Sequence, residues 1–286
     1  MPVAELLAEA TSILEAAGVV SARVDAELLL AHVLGVARGR LALAGEPTAE
    51  QTWQFRELVR RRGARVPLQH LTGTAPFRHL ELRVGEGVFI PRPETEVLVG
   101  WALGWLGRRP GAVVVDLCAG SGAIAAAIAA EANRPVVLAV ERDPAALMWL
   151  RRNAAELGLA GLPLRVVSGD ATDPGVLADL DGTADVVLSN PPYVPEIDAA
   201  ALPPEVTDHD PRAAVFGGTD GLDVIRALIP RMAALLRPGG AVAIEHDESH
   251  AYVVPALLRA DGRFDDVELH HDLASRPRFT TATRLD

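Results

Sequence analysis

The chain has 286 residues, 49% of them apolar, with a formal net charge of −11 and one cysteine. That length allows two domains or one large one, and a lone cysteine excludes an internal disulfide framework. The negative charge argues against tight binding to a bare phosphate backbone, all 27 basic residues are arginine, which removes lysine Schiff-base and lysine-base chemistry, and no apolar run approaches the ~20 residues that span a bilayer.

The first residues, Met1-Pro2-Val3-Ala4-Glu5, lack the basic and apolar regions of a signal peptide. With the composition, this predicts a cytoplasmic chain. Residues 3 to about 70 have helical periodicity. Val3 to Ala17 puts Leu6, Leu7, Ile13 and Leu14 on one side, and Gly18 is a stop. Asp25 to Leu34 repeats the pattern and ends at Gly35. Thr48-Ala49-Glu50-Gln51 fits a capping box for a helix through Arg62 that stops at Gly63. The run Arg60-Arg61-Arg62 with Arg65 allows a local basic patch but reads first as a solvated helix end. Short amphipathic helices must pack on each other, so residues 1–72 are predicted to form a small helical bundle. It holds no cluster of catalytic residue types, and docking or recognition is its natural role.

Residues 73–91 read as a β-hairpin connector. Leu80-Glu81-Leu82-Arg83-Val84 alternates, Gly85-Glu86-Gly87 turns, and Val88-Phe89-Ile90 resumes. Next comes Ile90-Pro91-Arg92-Pro93-Glu94-Thr95-Glu96, opening a helix predicted from Pro93 to Leu106. The segment is good helix-start chemistry on one reading and the wall or lid of an active site on the other.

Residues 92–286 alternate strand and helix from Ala112 onward. Strands are predicted at Val113–Asp116, Val136–Val140, Leu164–Val167, Asp185–Ser189 and Ala241–Glu245. Helices are predicted at Gly122–Ala132, Pro144–Leu157, Leu222–Leu236 and from about Ser249 to Ala260. Such alternation means a mainly parallel α/β sheet covered on both faces. Two further strands near Asp266–His270 and Phe279–Arg284 lack a crossover helix and suggest a terminal hairpin. The polar stretch Thr207 to Gly221 is long enough to help cover a site.

The first strand of the sheet runs into Asp116-Leu117-Cys118-Ala119-Gly120-Ser121-Gly122. Glycines let backbone approach a ligand, and a helix N-terminus offers free N–H groups. Gly120-x-Gly122-x-x-Ala125, with Glu141 about 20 residues on, fits a dinucleotide fingerprint, and NAD satisfies that pattern. Asp116 argues otherwise, because a carboxylate there would face a pyrophosphate. It suits a cationic ligand such as S-adenosylmethionine. Glu141 then suits the ribose diol, and Asp170 is placed to accept from the adenine amino group. The alternative role for each acid is helix capping. Asp143-Pro144 caps well, whereas Asp116 and Glu141 sit wrongly for it.

Asn190-Pro191-Pro192-Tyr193 ends the fourth of these strands. The prolines cannot donate to the ladder and stiffen a rim beyond the strand's carboxyl end. Asn190 and the Pro191 carbonyl offer two acceptors, and Pro192 and Tyr193 complete the rim with a flat ring. That set suits a planar group bearing NH2, a carboxamide or an amino-purine. Positioning is the help that a delocalised amide nitrogen needs most. The alternative is a strand followed by a proline turn. His246-Asp247-Glu248-Ser249-His250 lacks the zincin pattern and reads as a solvated helix start. His270 and His271 are adjacent on a strand and point apart. Ser121 and Ser189 have no evident base, so a Ser–His–Asp site is not indicated.

Nearly the whole chain resembles the peptide chain release factor glutamine N5-methyltransferases, the HemK/PrmC family. The resemblance rests on the helical N-terminal part, Pro67-Leu68-Gln69-His70-Leu71-Thr72-Gly73, Phe89-Ile90-Pro91-Arg92-Pro93-Glu94-Thr95-Glu96, the Asp116–Gly122 loop and Asn190-Pro191-Pro192-Tyr193. It implies a Rossmann-like, seven-stranded class I methyltransferase sheet. It implies methyl transfer from S-adenosylmethionine to the glutamine of a release factor's Gly-Gly-Gln loop, with no direct nucleic-acid or membrane partner and no metal. By the same resemblance, Cys118, Ala119, Gly120, Ser121, Gly122, Glu141, Asp170, Ala171 and Asn190 contact the cofactor, and Asn190 to Tyr193 hold the glutamine. Cys118 stands where the family usually has glycine, and Ala171 where some relatives carry an aromatic. Two rival readings are an amino-group DNA methyltransferase, which flips adenine or cytosine and needs phosphate contacts, and a non-catalytic module that keeps the fold.

Overall fold

The computed structural model describes residues 1–158, 161–162 and 164–286. They form two compact units, one of Met1–Thr74 with Pro203–His209, the other of Ala75–Leu202 with Asp210–Asp286. Among the described residues no helix is long and apolar enough to cross a membrane.

The first unit contains α1 (Val3–Ala16), α2 (Ala22–Leu34), a 3-10 turn at Arg38–Leu43, α3 (Ala49–Gly63), α4 (Leu68–Thr72) and the short helix Pro204–Thr207. Leu6, Leu7, Ala10 and Leu14 of α1 pack with Leu29 and Leu30 of α2 and with Phe55 and Val59 of α3. Ile13, expected on the buried side, is 44% exposed, because the buried face follows positions 6, 7, 10 and 14. The capping box forms as expected: Gln51 N–H donates to Thr48 Oγ1 at 3.2 Å, and Thr48 N–H donates to Gln51 Oε1 at 3.0 Å.

The arginine run departs from a solvated helix end. Arg60 is exposed and pairs with Glu57, but Arg62 is buried and its Nε meets Asp25 Oδ2 at 2.7 Å. Arg62 Nη1 also reaches Glu205 Oε1 at 2.9 Å, and Arg65 grips both Glu205 oxygens, at 2.8 and 2.6 Å. Burial alone would raise the pKa of Glu205, but the hydrogen bonds from Arg65 and Arg62 outweigh it and hold the carboxyl at about 2. These pairs explain why seven residues remote in sequence belong to the helical unit.

A two-stranded ribbon, β1 (Thr74–Phe77) and β2 (Leu80–Arg83), joined by Arg78-His79, lies at the start of the second unit, which begins at Ala75. The hairpin therefore turns earlier than the alternation suggests, and Gly85 to Ile90 does not return as a strand. Val84, Val88 and Ile90 instead pack with Ala146 and Trp149, whose Nε1 donates to the Glu86 carbonyl at 3.1 Å. The helix α5 (Thr95–Leu106) follows. Its Glu96 accepts from the Arg78 N–H at 2.9 Å, tying the helix start to the ribbon's turn.

The main sheet contains β3 (Val113–Leu117), β4 (Val136–Glu141), β5 (Leu164–Ser168), β6 (Ala184–Ser189), β7 (Leu236–Glu245), β8 (Phe264–His271) and β9 (Pro277–Arg284), in the order β5-β4-β3-β6-β7-β9-β8. Pairing is parallel from β5 through β7, and β9 runs antiparallel to both β7 and β8. Its helices are α6 (Ala123–Glu131), α7 (Pro144–Gly158), α8 (Asp223–Leu235) and α9 (Val253–Asp261). Successive side chains alternate between two apolar layers. Val114, Val137, Ala139, Val186 and Leu188 meet α5, α6 and α7, while Val115, Leu138, Val140, Val187 and Val242 meet α8 and α9. Burial on both faces is why these strands read as continuous apolar runs. β7 begins five residues earlier than the predicted Ala241, and Pro238-Gly239-Gly240 lies within it, near an irregularity in its pairing with β6.

Arg62→Ala should cost ~3–5 kcal/mol in denaturant unfolding, because it leaves the buried Asp25 carboxylate without its main partner. Arg60→Ala, on the exposed side of the same helix, should leave the midpoint nearly unchanged. Similar midpoints for the two variants would show that the buried pair does not hold the unit together.

Candidate active site

Parallel register places Leu117 beside Val140 of β4 and Ser189 of β6, and Ser189 beside Ile244 of β7. The carboxyl ends of four strands thus lie in one row, carrying Asp116, Glu141, Asn190 and Glu245. The strand order reverses at β3, which is where open α/β sheets bind ligands.

Asp116 is fully buried. Its Oδ2 accepts from the Ala125 N–H in the first turn of α6 at 3.1 Å, and its Oδ1 has no hydrogen-bond partner among the described residues. Burial pushes its pKa up to about 8, opposed by the Ala125 N–H and reinforced by nearby Glu141. A buried acid with a spare oxygen would be stabilised as the carboxylate by a cationic ligand.

Glu141 closes β4. Its Oε2 accepts from Gly120 N–H at 2.8 Å, and its Oε1 accepts from Arg142 N–H at 2.7 Å and Asp143 N–H at 2.8 Å. Each carboxylate oxygen can take about two donors, so Oε2 keeps one acceptor position. The Gly120 bond also locks the glycine loop onto the end of β4, and Ala119 N–H adds a bond to the Val140 carbonyl at 3.0 Å.

Three loop positions, Cys118, Gly120 and Gly122, have left-handed backbone. Gly122 has φ 86°, and a Cβ there would lie 2.4 Å from Leu150 Cδ1, so close packing of the loop on α7 requires glycine. Cys118 has φ 62° despite its side chain, a conformation that costs an L residue ~1–2 kcal/mol. This is the position where the resemblance expects glycine. Burial pushes its thiol up to about 12, so it is not a nucleophile at neutral pH. Ser121 is buried, and its carbonyl accepts from Asn153 Nδ2 at 2.9 Å. Asn153 also exchanges two hydrogen bonds with the Arg83 backbone, at 2.7 and 3.0 Å, and so clamps β2, α7 and the glycine loop together.

Asp170 is partly exposed and already engaged. Its Oδ1 accepts from Thr172 N–H at 2.9 Å and Thr172 Oγ1 at 2.7 Å, and its Oδ2 pairs with Arg142 at 3.0 Å. The Thr172 N–H, the Thr172 hydroxyl and Arg142 together hold its pKa below the usual carboxylate value. The adjacent Ala171 is buried against the layer beneath.

The tetrapeptide leaves the end of β6 with Pro191 and Pro192 buried and Asn190 and Tyr193 partly exposed. Asn190 Nδ2 donates to Thr95 Oγ1 at 3.1 Å. The Pro191 carbonyl takes no backbone N–H among the described residues. The Tyr193 hydroxyl donates to Glu245 Oε1 at 3.3 Å. Burial, with Glu245 beside it, pushes the tyrosine pKa well above its ordinary value. The returning chain lies close over this rim: at Gly221, φ 77°, a Cβ would sit 2.2 Å from the Tyr193 carbonyl oxygen. Arg92 meets the buried Asp210 at 2.8 Å, joining the Pro91–Glu96 segment to the stretch after the tetrapeptide.

Other candidates resolve into structural roles. Ser189 Oγ donates to the Leu117 carbonyl at 2.7 Å. His246 and His250 are buried instead of solvated, because the segment folds under the end of β9: His246 Nε2 bonds Thr280 Oγ1 at 2.8 Å, and His250 Nε2 contacts the Asp220 carbonyl at 3.0 Å. Sequence reasoning passed over Thr95, Asn153 and Glu245. Only Glu245 carried a usable signal, as a second acid at the end of a predicted strand, like Glu141.

Seven strands in this order, with a row of acids at the point of reversal, define a Rossmann-like class I methyltransferase fold. Solved structures share it. A T. thermophilus 16S rRNA N2 methyltransferase in complex with AdoMet and guanosine matches over 74% of this chain and 49% of that one, at 22% identity and TM-score 0.51. The hMettl16 catalytic domain in complex with a 3′UTR hairpin matches over 71% and 75%, at 17% identity and TM-score 0.55. Residues 5–73 match the PrmC N-terminal domain, and residues 71–203 match a family described as conserved hypothetical protein 95. The release factor glutamine methyltransferase of Mycolicibacterium smegmatis is 51% identical over 96% of this chain and 95% of its own length. That of Deinococcus radiodurans is 42% identical over 99% of each. The chain belongs to the release factor glutamine methyltransferase family.

Asp116 sets a pH dependence on the folded protein. Its folded pKa, about 8, lies above the ordinary 3.8, so the native state holds a proton that the unfolded chain releases between those values. Stability therefore falls as pH rises through that window, by at most ~1.4 kcal/mol per pH unit for one group. Asp116→Asn should flatten the slope between about pH 6.5 and 8 in denaturant titrations without added ligand. Identical slopes for the two proteins would show that Asp116 is ionised in the native site.

Proposed function

We infer that this protein methylates the side-chain amide nitrogen of the glutamine in the Gly-Gly-Gln motif of peptide chain release factors, with S-adenosylmethionine as methyl donor. The observation that carries the reading is the placement of Asn190 to Tyr193 at the end of β6, beside the acids that end β3 and β4. The residues suit the donor: the spare Asp116 Oδ1 matches a cation, and the free acceptor position on Glu141 Oε2 matches a ribose hydroxyl. Cys118 to Gly122 would line the donor by backbone, with Asp170, Ala171 and Asn190 at its edge. When bound, S-adenosylmethionine supplies an electrophilic methyl group and leaves as S-adenosylhomocysteine.

The chain's own part is positioning. Asn190 Oδ1 and the Pro191 carbonyl would take the two hydrogens of the glutamine NH2, while Pro192 and the Tyr193 ring bound its plane. Tyr193 is not a base at neutral pH, since its hydroxyl is buried and given to Glu245. Catalysis then rests on orientation of a weak nucleophile, with no proton removed beforehand by a side chain. The helical unit, which matches the PrmC N-terminal domain, is the natural source of the extra surface that a protein substrate needs.

Asn190→Ala should lower kcat by ~100-fold or more with intact release factor while the chain keeps its fold. Turnover near the wild-type value would remove Asn190 from the amide site. Glu141→Ala should weaken S-adenosylmethionine binding by ~10- to 100-fold in calorimetry and change kcat at saturation only a few-fold, because ribose contacts alter little along the reaction. An unchanged dissociation constant would place the ribose elsewhere.

A further inference from the structure

An asparagine that must accept from an NH2 group faces a difficulty of its own. Its amide oxygen and nitrogen are nearly the same size, and a turn of 180° would present a donor to a donor. Something has to hold the oxygen toward the substrate. We propose that Thr95 is a positioning residue that fixes the Asn190 amide in its acceptor orientation, and that the Glu245 carboxylate sets the direction of the hydrogen-bond chain through Thr95. The inference rests on the reading that Asn190 holds the glutamine amide.

The geometry runs from Asn190 inward. Asn190 Nδ2 lies 3.1 Å from Thr95 Oγ1, and Thr95 is buried at the start of α5. A hydroxyl can give or take, so this contact alone would not choose between the two amide orientations. Glu245 makes the choice. It is buried at the end of β7, its Oε1 takes the Tyr193 hydroxyl, and its Oε2 has no hydrogen-bond partner among the described residues. The Thr95 hydroxyl faces the same carboxyl and favours its charged form. An ionised carboxylate only accepts, so it draws the Thr95 proton toward itself. The threonine oxygen is then left to accept, and the Asn190 atom facing it must be the NH2. Oδ1 therefore faces away from Thr95. One buried charge orients both ends of the tetrapeptide, Asn190 through Thr95 and Tyr193 directly.

The direction depends on that charge. Thr95 of α5, Glu94 just before it, Tyr193 of the rim and Arg278 of β9 face Glu245. Burial raises its pKa most, Glu94 adds to this, and Thr95, Arg278 and Tyr193 oppose, leaving it at about 7. Below that value the carboxyl gains a proton and can donate to Thr95. Thr95 can then donate to Asn190, and the amide is free to reverse. Activity should fall as pH drops through about 7.

The test uses the full chain with S-adenosylmethionine and intact release factor, and compares Thr95→Val, Thr95→Ser and Glu245→Gln. Thr95→Val keeps the side-chain shape without the hydroxyl and should lower kcat by ~30- to 100-fold, with KM for the release factor changed less than ~3-fold. Thr95→Ser should recover most of that loss. Glu245→Gln should have low activity without the acid limb near pH 7. A second readout needs no turnover: the Asn190 side-chain 15NH2 resonances should be sharp and hydrogen-bonded in the wild type and in Thr95→Ser, and averaged in Thr95→Val. In the wild type they should lose that signature as pH falls through about 7. Near-normal kcat in Thr95→Val beside an inactive Asn190→Ala would overturn the proposal and leave the site reading intact. Full turnover in Asn190→Ala would sink the site reading itself. Equal losses in Thr95→Val and Thr95→Ser would mark Thr95 as a packing residue and also overturn the proposal. Should Thr95→Val fail to fold, Asn190 resonances that do not change with pH in the wild type would do the same.

Discussion

Parallel hydrogen bonding of β3 to β4 on one side and to β6 on the other sets the centre of the site. Those two ladders bring residues 25 and 74 positions apart in sequence, Asp116, Glu141 and Asn190, to neighbouring strand ends. The helix layers on the two faces of the sheet bury β3 between them, which makes Asp116 a carboxyl without water. A side chain on an exposed strand would reach the same place with an ordinary acidity. Here the covered sheet that positions the acid also changes its chemistry, because a carboxyl in an apolar layer keeps its proton until a cation replaces the lost hydration.

The acids along this row are not equivalent. Glu141 takes three backbone N–H bonds and serves as a fixed acceptor as well as a brace for the glycine loop. Asp116 and Glu245 each keep one oxygen without a partner. Unsatisfied buried oxygens are costly, and a fold tolerates them where a ligand or a directed network uses the charge. The two lie on opposite sides of the Asn190 strand, in β3 and β7. Asp116 bonds the first turn of α6 after the glycine loop, and Glu245 takes the Tyr193 hydroxyl of the tetrapeptide.

Much of the fold was legible because its signals are local. The Thr48 capping box, the apolar strands and the glycine loop are written in adjacent residues, and apart from the early start of β7 at Leu236 they appear in the structure within a residue or two. The hairpin was misplaced because Val84, Val88 and Ile90 alternate like a strand. Their partners are Ala146 and Trp149 on α7, some 60 residues later, and alternation cannot reveal a helix as the packing partner. Arg62 looked solvated for a related reason, since Asp25 and Glu205 lie in other elements. At the site, Asp116, Glu141 and the tetrapeptide were visible from residue type and position at strand ends. Thr95 was hidden within a helix-start motif whose local chemistry accounted for it already. Its bond to Asn190 spans 95 positions.

The Arg65–Glu205 grip has a consequence for the order in which the protein is made. The helical unit includes Pro203–His209, so it is incomplete when residue 74 emerges from the ribosome. At ordinary elongation rates the missing segment follows on the order of ten seconds later. Until then Arg62 has Asp25, but Arg65 has no carboxylate. The unit translated first is therefore finished only after β6 and the tetrapeptide have been synthesised, and its maturation is a late event of biosynthesis.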